Sequence, residues 1–135
     1  MGRYGAPYAT DTLLALAREV CPEINPREQD LLLSCGELIS TVVMVQALKL
    51  HHVEARAFAG GMAGIITDSN FGDAHIIEVN PEKLMTCLHQ KQVAVVAGFQ
   101  GQTQEGEVTT LGRGGSDTTA AALGVALAAT PIEIY

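Results

Sequence analysis

The segment VAVVAGFQG, residues 93–101, followed by TTLGRGGSDTTAAALG, residues 109–124, is the stretch on which the fold turns. Val93, Ala94, Val95 and Val96 form a continuous apolar run, too short for a stable helix and suited to a strand covered on both faces. Gly98 closes it. The polar, glycine-containing residues 100–106 predict a hairpin or flap, with Glu107–Thr110 as its return strand. A glycine-rich turn then leads into a second apolar helix, over about Asp117–Ala129. A buried strand joined through glycines to a buried helix is an α/β signature.

Working outward, Asn25 and Pro26 give a strong helix start, with Asn25 as N-cap, Pro26 at the first helical position and Glu28 where a capping box places its acid. The pattern predicts a helix to about His51. Between Leu31 and Leu48 it is apolar on nearly every side, which predicts burial on more than one face. A shorter helix, capped by Thr10 or Asp11, is expected over about Thr12–Val20, after a loop over Gly2–Pro7. Val53–Phe58 and His75–Val79 read as strands, and Gly60, Gly61 and Gly64 break the chain before Ile65 and Ile66. Asn80 and Pro81 repeat the helix-start signal, for a helix through about Lys91. Pro131–Tyr135 reads as a strand that has only begun. These elements predict a parallel or mixed sheet with helices on both sides, in one domain over residues 1–135.

Composition narrows the function. The 135 residues are 47% hydrophobic and 17% charged, enough apolar material for a core. A net charge of −7 with eight scattered Lys and Arg residues gives no footprint for nucleic acid. The three cysteines, Cys21, Cys35 and Cys87, contain no C-x-x-C pair, which fits a reducing, cytoplasmic setting better than a disulfide framework or zinc site. No basic leader precedes an apolar segment. The apolar run from Leu31 is broken by Ser34, Gly36, Glu37, Ser40, Thr41 and Gln46, so neither a signal peptide nor a membrane span is expected.

The chemistry concentrates at Thr109–Thr119. Helix N-termini present unpaired N–H groups and partial positive charge, glycines let a ligand approach the backbone, and Arg113 adds a fork for a carboxylate. The order of residues is neither that of a P-loop nor that of a dinucleotide fingerprint, so the residues alone specify an anion site. In the competing reading, Ser116 or Asp117 simply caps the helix and Gly112, Gly114 and Gly115 make a turn. Glu37 is the one charged residue between Leu31 and Leu48. It requires a partner, which could be an internal arginine such as Arg113 or a ligand ammonium; the plainer alternatives are a structural ion pair or a partly wet helix face. His51, His52, His75 and His89 lack metal-ligand spacing, and no metal-binding residues are assigned. Cys35 reads as a buried, inert thiol, and Asp68 and Asp73 as flanks of a solvated turn.

VAVVAGFQG and TTLGRGGSDTTAAALG together resemble the signature region of aspartate kinases, members of the amino-acid kinase superfamily. LLLSCGELIS (Leu31–Ser40) is similar to that family's Gly-Glu helix segment. YATDTLL (Tyr8–Leu14) and GGMAGIITD (Gly60–Asp68) match its intervening loops in the same order. The resemblance covers essentially the whole chain. It implies the three-layer α/β/α amino-acid kinase fold and transfer of the ATP γ-phosphoryl group, with Mg²⁺, to the side-chain carboxylate of L-aspartate. That reaction is the first step towards lysine, threonine and methionine. By matching motif, Glu37 is expected to hold the substrate ammonium, Arg113 its carboxylate and Ser116 a hydrogen bond to substrate, while Asp117 organises the reacting groups. Tyr135 is expected at the edge of the nucleotide site.

The family's lysine-bearing opening, K-F-G-G-T-S, its T-D-V-D-G nucleotide loop and its regulatory domains have no counterpart in these residues. The expectation is therefore the central portion of a kinase catalytic domain, with both ends of the domain missing and no activity alone. It would be completed by the missing kinase segments or act as a homo-oligomer. The alternative is a non-catalytic binding or assembly module derived from an amino-acid kinase.

Overall fold

The computed structural model describes residues 9–135, so the loop expected over Gly2–Pro7 lies outside the described residues. Helix α1 (Thr10–Val20) begins after Ala9, which offers no side-chain cap, and takes Asp11 into its first turn, where an acid favours the helix dipole. Helix α2 (Pro26–Leu50) starts as the sequence predicts, the Asn25 side chain accepting the Arg27 N–H at 3.0 Å. The capping box does not close. Glu28 Oε1 instead accepts from Arg27 Nη1 at 2.7 Å, while Arg27 Nε donates to Glu107 Oε2 at 2.7 Å. These two acids, Glu107 above all, hold the guanidinium pKa above its ordinary value.

Four short strands follow the expected order: β1 (Ala55–Phe58), β2 (Ile65–Thr67), β3 (Ile76–Val79) and, after helix α3 (Glu82–His89), β4 (Val93–Val96). Asn80 Oδ1 accepts the Glu82 N–H at 3.1 Å, but the N-cap of α3 is Pro81, one residue later than the sequence signal places it. The helix stops before Lys91, whose positive φ of 58° turns the chain. The predicted flap is a hairpin of β5 (Gln100–Gln102) and β6 (Val108–Thr110), and helix α4 (Gly115–Ala126) follows. β1 pairs with β4 in parallel, Ala55 opposite Val93 and Phe58 opposite Val96. The other four strands form a mixed sheet in the order β3-β2-β5-β6, with β2 and β5 parallel.

Phe58, Ala63, Leu84 and Cys87 make the buried core, with Ala94, Val96, Leu123 and Leu127 packed against it. Because strand side chains alternate between faces, Ala94 and Val96 point to α3 and α4, and the intervening positions turn to the side that carries α2. α2 rests on β1, β4 and β6, and α1 lies along α2. The chain is mixed α/β, with helices on both sides of its strands.

Three expectations are corrected. α2 is not buried all round: Asp30, Leu33, Ser34, Thr41 and Val45 are buried, whereas Val42, Val43, Met44 and Leu50 stay exposed. An apolar pattern records what a helix can bury, and among the described residues α1, the strands and the Gly72 loop cover it in part. Cys35 accordingly lies exposed on α2, its Sγ donating to the Leu31 carbonyl at 3.4 Å. Pro131–Tyr135 forms no strand, because no described strand offers it a ladder; Ile132 instead lies across Gly124. α2 is long and apolar enough to cross a membrane by length and composition. Within the domain, however, its Asp30 is fully buried and hydrogen-bonded to residues of a loop and of β6.

Candidate functional site

After β4 the chain passes through Gly98 to Phe99, which has a positive φ of 66°. A bulky residue in that region costs on the order of 1–3 kcal/mol and persists only when its surroundings impose it. Here the Phe99 N–H donates to Thr119 Oγ1 at 3.1 Å and its carbonyl accepts the Leu111 N–H at 2.8 Å. These bonds tie the end of β4 to both sides of the glycine-rich loop. A Cβ on Gly115 would stand 2.8 Å from Leu111 Cβ and 2.9 Å from Phe99 Cδ2, so only glycine lets the loop close this tightly.

Gly114, at φ 77°, is the N-cap of α4, and no side chain caps the helix. Ser116 and Asp117 lie inside its first turn. Among the described residues, neither of their side chains has a hydrogen-bond partner, and neither of their backbone N–H groups has a backbone acceptor. The capping alternative therefore does not hold. The free donors and Arg113, which has no ion pair among the described residues, face a cavity of about 490 Å³. Phe99, Gly72, Gly112, Arg113, Ser116 and Asp117 all line it. Free N–H groups, a helix dipole and an unpaired guanidinium in one concavity are the groups that favour an anion.

Glu37 is not in the lining of this cavity. It is half-buried on α2, and its carboxylate has no hydrogen-bond or ion-pair partner among the described residues. Arg113 is therefore not its internal partner. Seven residues separate it from Asp30, about 10 Å along the helix and nearly the same face. Tyr135 also stands apart from the cavity; it is fully exposed, and its hydroxyl donates to Glu133 Oε2 at 2.6 Å, which raises the phenol pKa.

Asp68 builds the turn beside the site. Its Oδ1 accepts the N–H groups of His75 (3.1 Å) and Asn70 (3.2 Å), and those bonds, with the imidazole of His75 at 3.3 Å, hold its carboxyl below the usual range. Asp73 is exposed on the same turn, as expected, and its Oδ1 occupies the space a side chain on Gly112 would need. Among the described residues no group of three His, Cys, Asp or Glu side chains is placed to hold a metal ion.

Sequence reasoning passed over Asp30. It is fully buried, with Oδ2 accepting from the N–H of Gly72 (3.0 Å) and of Thr110 (2.8 Å) and Oδ1 from the Thr110 hydroxyl (2.7 Å). The available signal was its spacing from Glu37. Gln100 was also missed: buried, it donates through Nε2 to the Ser34 carbonyl at 3.2 Å and accepts the Gly60 N–H at 3.4 Å, joining β5 to α2 and to the glycine turn.

Comparison with known proteins identifies the family. Aspartokinase 1 of Bacillus subtilis is 53% identical over the whole chain, which spans 33% of that protein. The aspartokinase of Mycobacterium tuberculosis is 51% identical over 93% of the chain and 30% of its own length. The chain thus spans about a third of the length of these curated relatives. Among solved structures, E. coli aspartokinase III in complex with aspartate and ADP superposes with a TM-score of 0.79 at 34% identity, over 93% of this chain and 29% of that one. The family model described as "Amino acid kinase family" matches residues 4–135, and the chain belongs to that family.

Proposed function

We propose that the chain is the aspartate-recognising, central portion of an aspartate kinase catalytic domain, forming 4-phospho-L-aspartate and ADP from L-aspartate and ATP. The observation that carries this reading is the uncapped start of α4, opening with Arg113 into one cavity. Relatives named aspartokinase, and a neighbouring structure in complex with aspartate and ADP, support the choice of substrate.

In this reading Arg113 and the first amides of α4 hold the α-carboxylate, Ser116 hydrogen-bonds the substrate, and Glu37 takes the ammonium. Glu37 borders that site only if the substrate or a neighbouring segment bridges from α2, since its carboxylate lies outside the cavity lining. The substrate's side-chain carboxylate attacks the γ-phosphorus, and the bond to the bridging oxygen of ADP breaks. Such transfer depends on positioning and charge neutralisation, which this chain supplies as fixed N–H dipoles and a guanidinium. Mg²⁺ would neutralise phosphate charge. It typically takes one or two carboxylates together with phosphate oxygens, and Asp117 is the acid that the cavity offers for that. Tyr135 would border the nucleotide, and the setting would be cytoplasmic.

The test is a chimera in which this chain replaces the matching third of Bacillus subtilis aspartokinase 1. Aspartate-dependent ADP formation is expected from the chimera and not from the isolated chain. A folded chimera that hydrolyses ATP without responding to aspartate would refute the reading. The exposed apolar residues of α2 favour a second reading, an assembly module, for which concentration-dependent oligomers of the isolated chain are the evidence to seek.

A further inference from the structure

We infer that Asp30 is a positioning residue that sets the separation between the ammonium-recognising acid on α2 and the carboxylate-recognising loop before α4; this rests on the aspartate reading above. Its carboxylate is fully buried and held by three neutral donors. Two of them, the N–H and hydroxyl of Thr110, stand two residues before Gly112, where the lining of the cavity begins. The third, the Gly72 N–H, belongs to a residue of the lining itself. A carboxylate taken wholly out of water must keep its donors, so both walls of the cavity are pinned to one point on α2.

That point has a defined relation to Glu37. Seven residues of α-helix bring the two acids to nearly the same face, about 10 Å apart, along a rigid rod. Moving Asp30 relative to the loops therefore moves Arg113 relative to Glu37. Under the aspartate reading, an amino acid held by Glu37 at its α-ammonium and by Arg113 at its α-carboxylate senses this spacing. A dicarboxylate without an amino group, such as succinate, engages Arg113 alone and does not.

The selectivity for L-aspartate over succinate is the readout, because loss of stability alone would weaken both ligands together. Thr110→Val keeps the volume and the N–H but removes the hydroxyl donor to Asp30, and Thr110→Ser keeps that donor. Both ligands are titrated into the ¹⁵N-labelled full chain, with amide hydrogen exchange followed in parallel. The expected result is a roughly tenfold fall in the aspartate-to-succinate affinity ratio for Thr110→Val, the size of one hydrogen bond to a charged group. Faster exchange at Gly72 and Gly115, unchanged exchange at Ala97, whose N–H just past β4 donates to the Phe58 carbonyl of β1, and recovery in Thr110→Ser should accompany it. An unchanged ratio in Thr110→Val overturns the inference, as does uniform loosening of every amide. Failure of the wild-type chain to respond to aspartate at Gly114–Asp117 refutes the functional reading instead, and the exchange data then decide separately whether Asp30 pins the loops. Asp30→Asn, which puts an NH₂ against a donor, should give the larger change if it folds.

Discussion

Two helices of this chain begin in opposite ways. α2 opens with Asn25 accepting a backbone N–H, Pro26 at its first position and Arg27 paired to both Glu28 and Glu107. α4 opens on Gly114 in the left-handed region, with no side-chain cap and with Arg113, Ser116 and Asp117 turned to a cavity. The first start gives the Arg27 N–H a side-chain acceptor, as a helix that only needs stability does. The second leaves its donors for something else, and that contrast is the strongest physical reason to place a ligand at α4.

The largest effect expected from breaking the contrast is at Arg113. Arg113→Ala in the chimeric kinase should lower kcat/KM for aspartate by about a hundredfold or more, ~3 kcal/mol, because a charge-assisted carboxylate fork is lost. Steady-state kinetics would show it, and an unchanged value would remove Arg113 from substrate recognition. Ser116→Ala should cost less, about 1 kcal/mol or roughly fivefold in aspartate KM, with thermal stability unaltered since Ser116 caps nothing. Asn25→Ala should do the reverse. It should lower stability by about 1 kcal/mol in denaturant unfolding and leave aspartate affinity alone.

The smallest effect concerns pH. Asp68 is held below its ordinary pKa by the N–H groups of His75 and Asn70. With the folded value below the unfolded one, its contribution is complete above about pH 4 and is lost as the pH falls through the folded value. Asp68→Asn should therefore be less stable than the parent at about pH 6, with the difference shrinking as the pH falls below about 4; thermal melts on both sides of that point would check the sign.

Local signals were legible in the sequence. Asn25-Pro26 marked a cap that forms, Asn80-Pro81 marked a helix start one residue early, and Val93–Val96 and the Gln100–Thr110 hairpin lie where their patterns placed them. The start of α4 shifted two residues because Gly114 supplies the turn through its backbone, which no side-chain signal announces. The partners of Asp30 were illegible for a different reason: they lie 42 and 80 residues away, and the spacing from Glu37 marks the acid but not what holds it. The same holds for α2, whose apolar pattern told what it could bury but not which faces would be covered. Arg113, Ser116 and Asp117 came together because they sit on one local turn, whereas Glu37, on α2, lies outside the lining.

Titration of L-aspartate into the ¹⁵N-labelled chain tests the central claim most directly. Saturable shifts at the amides of Gly114–Asp117, at roughly millimolar ligand and absent in Arg113→Ala, are the predicted result. Shifts confined to other surfaces, or identical in the arginine variant, would contradict an anion site at the start of α4.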